Sequence, residues 1–250
     1  MATYFIKAAA LAAMTTLTSQ AAQADSGLGI IDGDLLLGYS NQTGEGGYVA
    51  GTLDVAITQF HGAQFDLQYE ERSTGAIGRI GTVLYMTPRQ GQKYGLSLMV
   101  ADRNNASATY GQLGAAGMFQ IGEDVNLEVR ATVGLSSKND LDWIGIGAGV
   151  HWQATTATRL YAHYDLTEFD EASFRARANE VTFGVQTRLN NSPVSLFAEA
   201  SRDWLSGRNA AGADTTIRAG LSISLGRRGN NQPSFRVADP MRQLLRRGLF

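Results

Sequence analysis

Alternation of apolar and polar positions is the dominant signal in this chain, and it is cleanest between Leu141 and Phe169. Ile144, Ile146, Ala148, Val150 and Trp152 share one parity, while Gly145, Gly147, Gly149, His151 and Gln153 share the other. Side chains alternate faces along a strand, so this is a strand with one apolar face and one small or polar face. After a short turn the split repeats, with Leu160, Ala162, Tyr164 and Leu166 against Arg159, Tyr161, His163 and Asp165. A three-residue turn at 154–156 sets Gly149 opposite Tyr161 and Gly147 opposite His163, glycine leaving room for the large group across the pair. The polar face therefore reads as a crowded interior.

The same pattern predicts twelve strands, near 33–41, 46–57, 63–72, 75–87, 92–101, 107–120, 124–135, 141–154, 157–167, 177–189, 192–203 and 214–225. Glycine-rich first and fourth strands leave counts of 10 and 14 open beside 12. Most run roughly 9–14 residues, against ~9–11 for a tilted strand crossing a bilayer and about 5–6 for a soluble strand. The connections have two characters. Compact turns follow every second strand, at 58–62, 87–91, 121–124, 154–156 and 190–193, rich in Gly, Pro, Asn and Asp. Longer polar segments occupy the other end, at 40–47, 71–75, 102–107, 136–140, 168–178 and 203–213. An even strand count puts both ends of the barrel on the short-turn side.

The apolar parity carries Val125, Leu127, Val129, Val181, Phe183, Val185, Ile217, Leu221 and Ile223. On that parity Tyr94, Phe119 and Trp152 fall near the short turns, and Tyr39 and Tyr69 near the long segments. Aromatics bracketing an aliphatic band suit the two interfaces of a membrane. The opposite parity collects Asp54, Asp66, Glu70, Arg79, Lys93, Glu128, Arg130, Arg159, His163, Asp165, Arg188, Glu199 and Arg218. These are the expected lumen-lining residues.

Composition sharpens this picture. The 29 glycines and 4 prolines depart in opposite directions from average usage. Cysteine is absent, which excludes disulfides, thiolate metal sites and cysteine nucleophiles among these residues. Residues 1–24 read as a signal peptide, with Lys7, an apolar run from Ala8 to Thr16, and Ala22-Gln23-Ala24 before the cut. Beyond them no apolar run is long enough for a transmembrane helix. Residues 226–250 carry Arg227, Arg228, Arg236, Arg242, Arg246 and Arg247 against Asp239 alone, a net of +5, while 25–225 stands at −8. The division is thus 1–24 leader, 25–225 barrel, and 226–250 basic tail, either a short helix or disordered. In the helical reading Asp239 caps it, Pro240 opens the first turn, and Met241, Leu244, Leu245 and Leu249 give an uneven apolar side.

On strand pattern, loop asymmetry and aromatic bands, the chain over 33–225 resembles Gram-negative outer-membrane β-barrels, porin-like in the broad sense. Phe250 also resembles the terminal phenylalanine of many such barrels, although the residues before it do not alternate. The resemblance implies an all-β, antiparallel transmembrane barrel of about twelve strands in the bacterial outer membrane, with a basic periplasmic tail. It implies a passive channel for small polar or charged solutes through a water-lined or partly plugged lumen. The alternative is a closed structural barrel whose tail binds a periplasmic partner. Were the tail to enter the lumen, exposed ion pairs of about 0–1 kcal/mol each would make a reversible, salt-sensitive plug.

Other chemistry is weakly signalled. The glycines at 145, 147 and 149 alternate within a strand rather than forming a phosphate-binding turn. An outer-membrane lipid hydrolase would need a histidine with a partner near the outer surface; His163 and Asp165 share a face, but such residues lie roughly 6.6–6.8 Å apart along a strand. No His, Asp or Glu cluster has metal-ligand spacing, so neither metal nor cofactor is expected. The arginine cluster is not read as a nucleic-acid site in an exported membrane protein.

Overall fold

The computed structural model describes residues 29–41, 47–71, 75–104, 108–138, 141–190, 192–225 and 233–249. The expected leader, Arg227, Arg228, the Arg246 side chain and Phe250 lie outside the described residues, as do parts of the long segments. Twelve strands are described: β1 (Gly29–Ser40), β2 (Tyr48–Ala56), β3 (His61–Glu70), β4 (Ile77–Arg89), β5 (Gln92–Arg103), β6 (Ala108–Ile121), β7 (Val125–Ser136), β8 (Asp142–Gln153), β9 (Thr158–Asp170), β10 (Arg175–Arg188), β11 (Val194–Ser206) and β12 (Ala211–Ser224). Each pairs antiparallel with its sequence neighbours, and β1 closes the barrel on β12.

Several strands extend past the expected boundaries. β1 begins at Gly29 because Gly29–Asp32 pair with Asp54–Ala56 across an irregularity between Ile30 and Asp32. At the long-loop end β9 and β10 run on to Asp170 and Arg175, leaving only 171–174 as their connection. The added pairs are polar: Arg175 bonds Asp170 and Arg177 approaches Glu168 at 3.5 Å. Alternation of apolar residues stops where the ladder leaves the apolar band, so pattern alone shortens these strands.

The turn at the centre of the sequence pattern also differs. The last paired residues are Gln153 and Arg159, and Thr155 and Thr158 exchange backbone hydrogen bonds inside the loop. The unpaired residues are therefore 154–158 rather than 154–156, which slides the register by two. Gly149 faces His163 and Gly147 faces Asp165. A shift of two preserves every face, so the parity stands while the partners change. A side chain on Gly149 would overlap the His163 imidazole, and one on Gly134 would overlap Trp143.

The outward face is the apolar one. Leu96 is 70 % exposed, Leu135 67 % and Ile144 66 %, within a belt that also holds Leu113, Val133, Phe183 and Ile217. Such a belt would be costly against water at about 25 cal/mol per Å², and is at rest against hydrocarbon. Tyr39, Trp152 and Tyr94 stand outward at its edges, Tyr94 edge-on to Phe119 with centroids 5.7 Å apart; Tyr69 is half-buried on the same parity.

The interior holds the tail. Residues 233–249 lie inside the barrel, rising from the short-turn end as an extended segment and finishing in α1 (Met241–Arg246) near the long-loop end. This corrects the expectation of a periplasmic tail. Cationic character alone does not distinguish a solvated tail from one that matches an acidic interior; the matching partners decide it. Of the two readings of the tail, the helix is the one found, but its N-cap is Pro240, with no side-chain cap. Asp239 instead accepts a hydrogen bond from the Tyr110 hydroxyl at 3.1 Å and faces Arg79 at 3.8 Å. Met241, Leu244 and Leu245 are buried against Met99, Tyr110, Trp143, Phe169 and Leu205, whereas Leu249 is exposed.

Candidate functional site

The tail is held in three tiers, each built from inward positions of several strands. Nearest the short turns, Phe235 packs against Val83, Tyr85 and Met118. Gln64 on β3 clamps its backbone from both sides, donating to the Phe235 carbonyl and accepting from its amide, each at 2.8 Å. Beside it Lys93 pairs with Asp54 at 3.0 Å and lies 4.0 Å over the Tyr85 ring, whose hydroxyl also bonds Asp54.

The middle tier is electrostatic. Glu180 on β10 takes Nη2 of Arg236 at 3.1 Å and Nη2 of Arg242 at 2.7 Å on the same oxygen. Arg236 also approaches Asp165 at 3.7 Å, and its amide donates to Glu128 at 3.0 Å. Asp165 is shared with Arg130, bonded at 2.5 Å from Nη2 and 3.0 Å from Nε. Arg218 and Glu199 pair across β12 and β11 at 2.9 Å, with Tyr161 donating to Glu199 at 3.2 Å. Asp66 accepts from Thr52 and Gln64, both at 2.9 Å, and Glu70 is buried higher on β3. Gln112 reaches the Ala238 carbonyl at 3.1 Å and accepts from the Trp143 indole at 3.2 Å.

At the long-loop end Arg247 bonds the Asp203 carboxylate, and its other nitrogen donates to the carbonyls of Asp203 at 3.2 Å and Gly212 at 3.0 Å. Arg159 and Arg188 stand apart from all this. They line the short-turn mouth with Asp32, Asp34 and Asp124, in a cavity of about 550 Å³, bonding Gln153 and the Thr156 carbonyl at 3.3 Å each. Beside the tail a further cavity of about 210 Å³ is bounded by Arg130, Glu180, Arg218 and Arg242.

Of the thirteen charged positions expected on the lumen face, the tiers bring together Asp54, Asp66, Glu70, Arg79, Lys93, Glu128, Arg130, Asp165, Glu199 and Arg218 around the tail. His163 does not pair with Asp165; it packs against His151, with centroids 4.9 Å apart. Glu180 and Asp203, whose carboxylates accept hydrogen bonds from the guanidinium groups of the tail, were absent from the expected set, as were the apolar inward residues Met99, Met118, Trp143 and Phe169. Those four carried a readable signal. Large apolar side chains on the lumen parity do not belong in a water-filled pore, and they imply an apolar occupant. Metal-ligand spacing is likewise invisible along the chain but present across it: Glu128, His151 and His163 converge from β7, β8 and β9.

An apolar belt outside and a charged lumen that holds the C-terminal segment define a transmembrane β-barrel. Three of the solved structures that resemble it show how. The NanC porin matches at a TM-score of 0.58 with 10 % identity, covering 76 % of this chain and 98 % of that one. An outer-membrane channel of Pseudomonas putida F1 matches at 0.55 with 13 % identity, over 81 % and 98 %. The KdgM porin in complex with disordered oligogalacturonate matches at 0.52 with 9 % identity, over 77 % and 98 %. At these identities the likeness establishes the fold, that of porin-like outer-membrane barrels. No protein-family model and no curated sequence matches the chain.

Proposed function

We propose that this chain, exported by its leader 1–24, is an outer-membrane channel for small polar or charged solutes whose lumen is closed by its own residues 233–249. The observation that carries the reading is the double engagement of Glu180 by Arg236 and Arg242 at mid-lumen, where a solute would pass. Opposed charges survive around the plug, and such charges orient solutes at a constriction. The mouth lined by Arg159, Arg188, Asp32 and Asp34 is the vestibule on the short-turn side. A hydrolase reading gains no support: Asp165 is committed to Arg130 and Arg236 and does not orient His163. A tail that binds a periplasmic partner would first have to surrender the bonds of Arg236, Arg242 and Arg247.

Planar-bilayer recording tests this. Full-length protein should conduct weakly. Deletion of 233–250, or Leu244→Asp with Leu245→Asp in the full chain, should raise conductance several-fold. The double substitution keeps the test meaningful where the deletion impairs assembly. Folded variants that conduct like the full-length protein would overturn the plug.

A further inference from the structure

Glu128, His151 and His163 come together through register. Gly149 on β8 pairs with Glu128 on one side and with His163 on the other, so two large side chains project at one level across a residue that has none. His151, two residues along the same face, leans into the gap. One donor atom of each residue lies within 4.8 Å of those of the other two. His151 Nε2 stands 3.6 Å from Glu128 Oε2, and the two imidazoles meet edge to face at 70°.

Three of their atoms are buried and make no hydrogen bond: Glu128 Oε2, His151 Nε2 and His163 Nδ1. Each can present a lone pair, and buried polar atoms are ordinarily satisfied. Beyond the 3.6 Å approach of His151 to Glu128, the gathering of three such donors within 4.8 Å lets them share one electrophile. We infer that Glu128, His151 and His163 bind a divalent transition-metal ion, zinc by the nature of the donors. Two imidazole nitrogens and one carboxylate oxygen form a zinc ligand set that leaves a fourth position open. Zinc bonds of about 2.0–2.2 Å place donors roughly 3.2–3.6 Å apart, a spacing that Glu128 and His151 already meet. His163 brings its donor within 4.8 Å of both.

The surroundings fit. The other oxygen of Glu128 accepts the Arg236 amide at 3.0 Å, which orients the carboxylate and leaves Oε2 for the ion. The two nearby cations oppose a metal, but each has a counter-charge outside the trio: Arg130 bonds Asp165 while standing 3.5 Å from Oε1 of Glu128, and Arg236 pairs with Glu180 and Asp165. The Tyr161 ring closes one side, 6.1 Å from His151 and 5.7 Å from His163. The His151 side chain retains 12 % exposure and is the point of entry. Glu128 thus joins the ion to the tail, although metal binding itself does not depend on whether the barrel conducts.

The chain has three histidines and no cysteine, so an untagged protein offers a clean background. Calorimetry with Zn²⁺ and visible absorption with Co²⁺, on the full chain in detergent, should show one ion per barrel. His151→Ala, His163→Ala and Glu128→Gln should each weaken binding by more than about tenfold. His61→Ala, exposed at the start of β3, should leave it unchanged. His151→Gln gives the same readout where an alanine variant misfolds. No binding up to millimolar Zn²⁺, or equal affinity in the His151 and His163 variants, would refute the site.

Discussion

Arg242 and Glu180 meet at 2.7 Å inside the barrel, 62 residues apart in sequence, with 10 % and 5 % of their side chains exposed. Charges so far from water are held by one another. Buried pairs of this kind contribute little net stability, yet removing one partner strands the other, at about 3–5 kcal/mol. Glu180→Ala strands Arg242, leaves Arg236 only its 3.7 Å approach to Asp165, and should release the tail. Hydrogen exchange of residues 233–249 should accelerate sharply while the strands of the barrel stay protected. Unchanged protection of the tail would mean that Phe235, Met241, Leu244 and Leu245 hold it without the acid.

The burial of these pairs also decides the role of salt. Raising salt from 0.1 M to 1 M shortens the screening length from about 10 Å to about 3 Å, which acts on exposed charges and little on buried ones. The conductance gap between full-length protein and the Leu244→Asp, Leu245→Asp variant should therefore persist at 1 M salt, after scaling for bulk conductivity. This reverses the expectation drawn for exposed ion pairs. A gap that closes with salt would place the tail's contacts in water.

The two faces of β12 give a sharp contrast. Leu221 is 42 % exposed on the lipid side, whereas Ser222 is buried inside, its hydroxyl bonded to Gln186 at 3.0 Å. Leu221→Arg should cost on the order of 2–4 kcal/mol for folding into lipid vesicles. Ser222→Arg should insert with a smaller penalty and disturb the lumen beside Asp34. The opposite ranking would invert the parity of the barrel.

Topology is checked on intact cells. Tags placed within 171–174 or 207–210, at the long-loop end, should be labelled from outside. A tag at 122–124, in a short turn, should be reached only after permeabilisation. Exchanged outcomes would turn the barrel over.

Strand number and face assignment were legible because period-two alternation records which side of a residue meets lipid, and Leu127, Val129 and Leu221 say so directly. Register was not, since a slip of two residues leaves every face unchanged; only the Thr155–Thr158 contact moves His163 from Gly147 to Gly149. The trio of Glu128, His151 and His163 exists only through that register. The tail was readable as basic and partly apolar, but its destination depended on Glu180 and Asp203, two acids unremarkable on their own strands. Trp143 and Phe169, facing inward, were the better clue.

The internal segment changes how often the polypeptide passes from one side of the wall to the other. Twelve strands return the chain to the side where Gly29 began. The path from Pro233 to Leu249 then makes a thirteenth passage, through the middle rather than around the rim, and Arg247 fastens its upper end beside Gly212. Gly29 and Leu249 consequently open onto opposite compartments. A peptide or reporter fused beyond Leu249 should emerge on the same side as the 207–210 loop, even though the last strand points the other way.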